Sequence, residues 1–161
     1  MNQRAGHHDL PLAVDLDGTL IATDLIWESV IALVKRNPLY LLLLPFWALR
    51  GAYALKAELA KRVVLDPEAL PYRVEFLAFL REEHAKGRDL YLATGSHRTF
   101  ADQISGHLGL FKGVFASENG TSLTSTRKRA ALDAAFGEAN YDYAGNSHAD
   151  LAVFESARGA I

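Results

Sequence analysis

The chain contains no cysteine among its 161 residues. This absence excludes disulfide bonds, thiolate metal ligands and a cysteine nucleophile, and it fits a reducing compartment. An excess of charge of one sign is also missing, since 17 Lys and Arg residues face 19 Asp and Glu residues, for a formal net charge of −2. We therefore expect no nucleic-acid partner. The first residues contain no apolar segment typical of a signal peptide, so we expect a cytoplasmic protein of about one domain.

A hydrophobic run long enough to cross a membrane is missing as well. The longest run, PLYLLLLPFWAL at residues 38–49, has 12 residues and contains Pro45, whereas a spanning helix needs about 20. Basic residues flank the run, among them Lys35, Arg36 and Arg50. We interpret it as a buried helix of a small subdomain. The alternative is a patch that lies on the inner face of a membrane, with its aromatic and basic residues at headgroup level.

Short apolar stretches alternate along the chain with segments of helical periodicity. Strands are predicted at 12–16, 89–94, 113–117 and 141–145, with the start of one more at 157–161. Helices are predicted at 24–36, 39–50, 52–64, 72–86, 98–108, 127–136 and 148–156. This alternation predicts an α/β fold, a Rossmann-like parallel sheet with helices on both faces.

The segment between the first strand and the helix at residue 72 is too long and too helical for a plain crossover. We expect it to form a small helical cap at residues 24–70, inserted into a core made of residues 1–23 and 71–161. In a parallel sheet, ligands bind beyond the carboxyl ends of the strands. Polar residues follow four of the predicted strands, so they should meet at one edge of the sheet.

Two carboxylates, Asp15 and Asp17, come directly after the first apolar stretch in the sequence AVDLDGTL. Neighbouring buried carboxylates repel each other, so they stay ionised only when a cation joins them. Mg²⁺ suits this position because it prefers hard oxygen ligands. Asp15 has the chemistry to attack phosphorus, and Asp17 to protonate a leaving oxygen and then activate water. The structural alternative is a strand followed by an Asp-Gly turn.

Residues after the later strands provide candidate ligands for a phosphate and for a metal ion. Thr94 offers a hydroxyl, and Gly95 adds a backbone donor before a helix N-terminus, which favours an anion. Lys128 has the charge to neutralise a phosphate and to steady the nucleophile. Asn146 and Asp150 lie one helical turn apart and are candidate metal neighbours. The structural alternatives are helix capping by Thr94 or Asn146 and a solvated Lys128.

The segments DLDGTL, LATGS, RK and GNSHAD, in this order, resemble the four signature motifs of the haloacid dehalogenase-like hydrolase superfamily. The resemblance implies a Mg²⁺-dependent phosphatase that works through an aspartyl-phosphate. It implies that Asp15 is the nucleophile and Asp17 the acid and base, and that Thr94 and Lys128 bind phosphate. The same resemblance assigns Mg²⁺ to Asp15, to the carbonyl of Asp17 and to the position of Asn146.

A narrower resemblance links the chain to the hydrolase-like domain that precedes some UbiA-type polyprenyl transferase domains. It is carried by DLDGTLIATDLIWES, LKAELAKRV, YDYAGNSHADLAVF and the leucine run. It implies a membrane transferase domain beyond Ile161. An apolar cap with basic flanks points to a lipid-linked or isoprenoid phosphate as substrate, while a small sugar phosphate remains the alternative.

The sequence departs from the family pattern at Asn146, where the last motif usually has Asp. An amide oxygen binds Mg²⁺ without contributing charge, so metal affinity should fall unless Asp150 compensates. This departure supports a second hypothesis, a catalytically weak or inactive domain that binds a phosphorylated ligand or regulates a fused prenyltransferase. A third hypothesis is phosphoryl transfer to an acceptor other than water.

Overall fold

The computed structural model describes residues 10–161 as a five-stranded parallel sheet with helices on both faces. The strands are β1 (Leu12–Val14), β2 (Leu90–His97), β3 (Gly113–Ser117), β4 (Asp142–Ala144) and β5 (Gly159–Ala160). Their order in the sheet is β3-β2-β1-β4-β5, and each neighbouring pair is parallel. The predicted fold class is confirmed. Residues 1–9, which belong to the predicted core segment, lie outside the described part of the chain.

Seven α-helices accompany the sheet in the described residues. They are α1 (Leu25–Arg36), α2 (Leu44–Leu49), α3 (Ala52–Ala60), α4 (Val74–Ala85), α5 (Arg98–Leu108), α6 (Thr126–Phe136) and α7 (Leu151–Phe154). Short 3₁₀ helices occupy Pro38–Leu42, Pro67–Ala69 and His148–Asp150. The predictions of single α-helices at 39–50 and 148–156 were wrong. Each of these segments begins as a 3₁₀ helix and continues as a short α-helix.

The length of two strands differs from the sequence-based expectation. β1 ends at Val14 rather than at residue 16, because the carbonyl of Leu16 accepts hydrogen bonds from three backbone N–H groups, those of residues 19–21. This turn takes the chain away from the sheet. β2 extends to His97 rather than ending at residue 94, with an irregularity in its pairing to β3 after Ala93.

Each face of the sheet supports its own hydrophobic cluster, because successive side chains of a strand point to opposite faces. Leu12 and Val14 belong to the larger cluster. Ala13 belongs to the smaller one, with Leu132 of α6 and Val153 of α7. Helices α1, α3, α4 and α5 all contribute buried residues to the larger cluster. The helices between β1 and α4 therefore share the larger hydrophobic cluster with the sheet. That they form a separate cap stays a prediction.

The leucine run at residues 38–49 is exposed, so its interpretation as a buried helix was wrong. Trp47 is the buried member, with the guanidinium of Arg62 4.7 Å from the centre of its ring and the ring of Tyr40 at 6.1 Å. Two short helical pieces bury little surface, because α1 and α3 already supply the buried side chains of this region. Among residues 10–161, no helix has the length and hydropathy needed to cross a membrane.

Candidate active site

The carboxyl end of β1 places Asp15 and Asp17 at the edge of the sheet, between the ends of β2 and β4. The backbone N–H of Asp15 still bonds to the carbonyl of Ala144 in β4, at 2.8 Å. Gly18 then reverses the chain with φ of +79°, a conformation that favours glycine. A Cβ at Gly18 would also lie 2.7 Å from the side-chain amide nitrogen of Asn146. The tight turn therefore depends on glycine for two separate reasons.

Lys128 links two buried carboxylates at the centre of the site. Its Nζ lies 2.8 Å from Oδ1 of Asp15 and 2.9 Å from Oδ1 of Asp150. The hydroxyl of Tyr143 accepts a hydrogen bond from Nζ at 2.8 Å and donates one to Asp150, also at 2.8 Å. Asp15, Lys128 and Asp150 are each at most 6% exposed. Lys128 is therefore buried in an ion pair with Asp15, and the alternative of a solvated lysine was wrong.

One lysine does not balance the charge of two buried carboxylates. Burial raises the pKa of Asp15 to about 6, although the charge and hydrogen bond of Lys128 act in the opposite direction. Burial and the neighbouring carboxylates also raise the pKa of the Tyr143 hydroxyl, so this group stays protonated. Oδ2 of Asp150 is buried and has no hydrogen-bond partner among the described residues. The cluster therefore has an acceptor oxygen and a negative charge that remain available to a cation.

Asp17 is held apart from this cluster in a different environment. Its Oδ1 accepts the backbone N–H of Leu25 at 2.8 Å, at the start of α1. Its Oδ2 accepts the hydroxyl of Ser96 at 2.7 Å and that of Thr94 at 3.3 Å. Burial is the main cause of its raised pKa, and the hydrogen bonds from Leu25 and Ser96 partly offset it. A raised pKa favours a carboxyl that holds a proton for transfer.

The predicted phosphate cradle at Thr94 and Gly95 differs in detail from the expectation. The Thr94 hydroxyl donates to Asp17 and accepts the backbone N–H of Ser96 at 3.0 Å, so both its hydrogen and its oxygen already have partners within the protein. Helix α5 starts at Arg98, as predicted, but β2 continues to His97, so Thr94 and Gly95 lie within the strand and not in a loop before the helix. Gly95 is positioned by its carbonyl, which accepts Nζ of Lys56 and the hydroxyl of Ser117. Phosphate binding by Thr94, Gly95 and Lys128 stays a prediction.

Asn146 lies beside the turn that follows β1. Its amide nitrogen donates to the carbonyl of Gly18 at 2.8 Å. The hydroxyl of Thr19 donates to Oδ1 of Asn146 at 3.3 Å and to Oδ2 of Asp15 at 3.4 Å. The alternative interpretation of Asn146 as a helix cap was wrong, because the side chain of Ser147 caps the following 3₁₀ helix.

The donor set at this edge fits a hard divalent cation in its chemistry. Asp15 and Asn146 direct oxygens towards the same hydroxyl, and Asp150 keeps an unpartnered carboxylate oxygen. Oxygen donors of this kind are those that Mg²⁺ prefers. Within residues 10–161, however, no group of three acidic or histidine side chains converges in the manner of a metal site. The carboxylate of Asp17 faces Ser96 and Thr94, so only its backbone carbonyl remains as the predicted metal ligand.

Three side chains of the site were not predicted from the sequence. Tyr143 lies in β4, next to its last residue. Its position near a strand end could have identified its hydroxyl as a candidate site group from the sequence alone. Ser96 lies two residues after Thr94 in β2, and its hydroxyl donates to Asp17. Lys56 comes from α3, between β1 and α4, and its bond to Gly95 crosses 39 positions of the chain. No local pattern indicates a contact of that kind.

Comparison with known proteins identifies relatives over most of the chain. Residues 12–155 match the haloacid dehalogenase-like hydrolase family. The uncharacterized protein y4nM of Sinorhizobium fredii (strain NBRC 101917 / NGR234) is 42% identical over 153 residues, which are 94% of this chain and 29% of that protein. The chain thus spans less than a third of the length of this curated relative.

Solved structures share the fold at low sequence identity. A protein of unknown function from Bordetella pertussis Tohama I has a TM-score of 0.68 and 17% identity, with 94% of this chain and 88% of that chain covered. A substrate-bound phosphoserine phosphatase has a TM-score of 0.64 and 13% identity, with 94% and 84% covered. A predicted phosphoglycolate phosphatase from Haemophilus somnus 129pt has a TM-score of 0.64 and 16% identity, with 96% and 85% covered.

The match at residues 12–155 begins with β1 and ends after α7, so it contains every residue of the site described above. The fold is shared with these structural neighbours over more than nine-tenths of the chain. The chain belongs to the haloacid dehalogenase-like hydrolase family.

Proposed function

We propose that this chain is a Mg²⁺-dependent phosphatase that acts through an aspartyl-phosphate on Asp15. The observation that carries the proposal is the separation of the two carboxylates into different environments. Asp15 is paired with Lys128 at 2.8 Å, whereas Asp17 is held by hydroxyl and backbone donors, and no lysine among residues 10–161 lies within hydrogen-bond distance of it. Two carboxyl groups whose surroundings differ in this way are suited to different catalytic roles.

The reaction takes place in two displacements. A carboxylate oxygen of Asp15 attacks phosphorus, the bond from phosphorus to the leaving oxygen breaks, and Asp17 gives its proton to that oxygen. Asp17, now a carboxylate, takes a proton from a water molecule whose oxygen attacks the phosphorus of the acyl phosphate. The bond between phosphorus and Asp15 then breaks, and inorganic phosphate leaves. Lys128 holds Asp15 in place and offsets negative charge throughout.

The residues that would hold Mg²⁺ are Asp15, Asn146 and Asp150 through side-chain oxygens, and Asp17 through its carbonyl. A bound Mg²⁺ would reduce the repulsion between the carboxylates and an incoming phosphate. The unpartnered oxygen of Asp150 supports this assignment, since a buried carboxylate oxygen without a partner is costly.

The family match and the structural neighbours support the hydrolytic chemistry. The structural neighbours include phosphoserine phosphatases and a predicted phosphoglycolate phosphatase. One neighbour is a phospho-aspartyl intermediate analogue of phosphoserine phosphatase, with a TM-score of 0.53 and 14% identity. At such identity the likeness concerns the fold, so the proposed mechanism rests on the residues of this chain.

The proposal is tested by phosphate release from a panel of phosphate esters, with Mg²⁺ and with a chelator, beside Asp15→Asn. We expect turnover that needs Mg²⁺ and that falls in Asp15→Asn by at least about 10³-fold, since the nucleophile is lost. The amide keeps an acceptor for Lys128, so the circular dichroism spectrum should not change. Equal turnover of both proteins would mean that Asp15 is not the nucleophile.

The second candidate function is a domain that binds a phosphorylated ligand, or regulates a fused prenyltransferase, without turnover. The observation that favours it is the amide of Asn146, which donates to Gly18 and brings no negative charge to the site. A folded protein that binds phosphate esters but releases no phosphate in the same assay would support this function. Transfer to an acceptor other than water would appear as release of the substrate's leaving alcohol without an equal amount of inorganic phosphate, together with a new phosphate ester of an added alcohol.

Asn146→Asp is expected to lower the dissociation constant for Mg²⁺ roughly tenfold, because a carboxylate adds charge to the site. Without metal the introduced carboxylate faces the carbonyl of Gly18, so the melting temperature should fall. Mg²⁺ should then raise it more than it does in the unmodified protein. Titration calorimetry and thermal melts measure both effects. Asn37→Asp, at an exposed helix cap, is the matched control, and equal Mg²⁺ affinity in all three proteins would remove Asn146 from the metal site.

For the substrate we propose a lipid-linked or isoprenoid phosphate rather than a small sugar phosphate. Exposed apolar residues between β1 and α4 support this class. A higher kcat/KM for farnesyl phosphate than for glucose 6-phosphate is the expected result, and the reverse order would contradict it. The fusion to a UbiA-type transferase domain stays a prediction. Sequencing the reading frame beyond the codon for Ile161 tests it directly.

A further inference from the structure

We infer that this chain binds the surface of an anionic lipid bilayer through the helical segment between β1 and α4. The inference concerns a surface rather than the site at β1, and it holds whether or not the chain hydrolyses phosphate esters. The contact surface, named the apolar face here, consists of exposed large hydrophobic residues: Trp27, Ile31, Leu39, Leu41, Leu42, Leu43, Phe46 and Leu49.

The apolar face contains most of the exposed large hydrophobic residues in the described part of the chain. Twelve large hydrophobic residues are exposed in residues 10–161, and eight of them lie between positions 27 and 49. Leu49 is 85% exposed, and Leu42 and Trp27 are 69% and 67% exposed. Single exposed apolar residues are ordinary, whereas a concentration of this size marks an interaction surface.

Two members of the apolar face that come from different elements, Trp27 and Leu41, line the same groove. Trp27 of α1 lines one groove with Leu41 and Pro45, which come from the segment that follows α1. Helix α2 contacts both this 3₁₀ segment and α3. The surface is therefore built by three elements and does not depend on one loop.

Charge identifies the partner as an anionic one. Residues 29–57 contain no Asp or Glu, and their cations include Lys35, Arg36 and Arg50. In the described residues these three have no ion pair, whereas the nearby Lys61 and Arg62 are both paired with Glu58. Although the whole chain carries a formal charge of −2, charges beyond about 8–10 Å are screened at physiological salt. The local positive charge therefore decides the interaction.

The form of the segment fits an interfacial contact and not a membrane span. Its helical pieces have five and six residues and are joined at Leu43. Aromatic residues at positions 27 and 46 and cations at the margins are the residue types that settle at the level of lipid headgroups. A protein partner of the same chemistry would need an acidic rim around an apolar centre, and a bilayer of anionic lipids supplies both features at once.

The test is co-sedimentation of the 161-residue chain with vesicles of phosphatidylcholine containing phosphatidylglycerol, at low salt. Leu49→Ser is expected to lower the vesicle partition coefficient roughly tenfold, because it removes one inserted leucine. Val74→Ser is the matched control, since Val74 of α4 is 78% exposed and lies outside the apolar face. Both substitutions replace an exposed residue, so their melting temperatures should stay close to that of the parent chain.

A second comparison tests the contribution of charge, with Arg50→Gln and a control, Arg81→Gln. Arg81 is an exposed arginine of α4. Arg50→Gln should lower binding about fivefold and Arg81→Gln should not, because each cation near an anionic surface contributes about 1 kcal/mol. Binding should also weaken with added salt and with vesicles of phosphatidylcholine alone.

Three results would each overturn the inference. The first is the absence of co-sedimentation at low salt, and the second is equal binding by the parent chain and Leu49→Ser. The third is a dimer in analytical ultracentrifugation that Leu49→Ser dissociates, without vesicle binding, because the apolar face would then contact a second copy. None of these results depends on phosphatase activity, so failure here is distinguishable from failure of the proposed function.

Discussion

Lys128→Met is expected to lower the free energy of unfolding by about 3–5 kcal/mol, because it leaves buried carboxylates without their cation. Asp15 and Asp150 both lose the Nζ that lies within 2.9 Å of each, and the hydroxyl of Tyr143 loses a donor. Methionine has nearly the volume of lysine, so the effect is electrostatic and not a cavity effect. Urea unfolding at pH 7 measures the loss.

The same variant should lose phosphatase activity at neutral pH. Lys128 lowers the pKa of Asp15, so its removal moves that pKa further above about 6 and more of Asp15, the proposed nucleophile, is protonated at pH 7. Stability of the variant should therefore improve as the pH falls, since protonation relieves the unpaired charge, while activity should improve as the pH rises. The opposite pH dependences of stability and of activity both follow from the titration of Asp15.

Arg127→Met is the matched control, because Arg127 precedes Lys128 in α6 and is exposed. It should leave the urea midpoint within about 0.5 kcal/mol of the parent value. Lys128→Arg keeps the charge and should recover part of the lost stability. If Lys128→Met unfolds at the same urea concentration as the parent chain, the lysine is not the counter-ion that holds the cluster together.

Asp17→Asn is expected to reduce kcat for an alkyl phosphate by about 10²–10⁴-fold, the usual contribution of a general acid or base. The amide keeps an acceptor for the backbone N–H of Leu25, and the hydroxyls of Thr94 and Ser96 are able to accept as well as donate. The fold should therefore survive. In the proposed mechanism, the variant loses both the proton for the leaving oxygen and the base for the attacking water.

Substrates with different leaving groups separate these two roles. p-Nitrophenolate leaves without a proton, so Asp17→Asn should still form the aspartyl-phosphate from p-nitrophenyl phosphate and then stall. A burst of nitrophenolate, equal to the enzyme concentration, is the expected rapid-quench result. Asp24→Asn keeps the N-cap of α1 and serves as the control, with turnover within about twofold of the parent chain. Equal losses for both leaving groups and no burst would contradict the two-role assignment.

The location of the site could be predicted, and its internal contacts could not. Asp15, Lys128, Asn146 and Asp150 follow strand ends or begin helices, and the parallel sheet brings those positions to one edge. The engagement of Thr94 with Asp17 was not predictable, because it depends on the continuation of β2 beyond residue 94. Helix and strand boundaries depend on competing hydrogen bonds that a residue pattern does not resolve.

Exposure was the other property that the sequence did not decide. An apolar run predicts burial when a core has room for it, and residues 38–49 contain ten apolar residues. The other two residues are Pro38 and Pro45, each near the start of one of the two short helices. The prolines divide the run into short pieces that bury Trp47 and leave most of the leucines in solvent. Whether an apolar residue is buried depends on what already packs against its neighbours.

The sequence by itself determined the class of fold and the position of the two carboxylates, because periodicity and strand ends are local properties of the chain. Tertiary structure alone decided which carboxylate receives the lysine, since the contact between Lys128 and Asp15 joins residues 113 positions apart. It also decided that Asp17 receives hydroxyl donors and that the leucine run faces solvent. Long-range contacts set the surroundings of each charge, and those surroundings determine the pKa and the chemistry of the group.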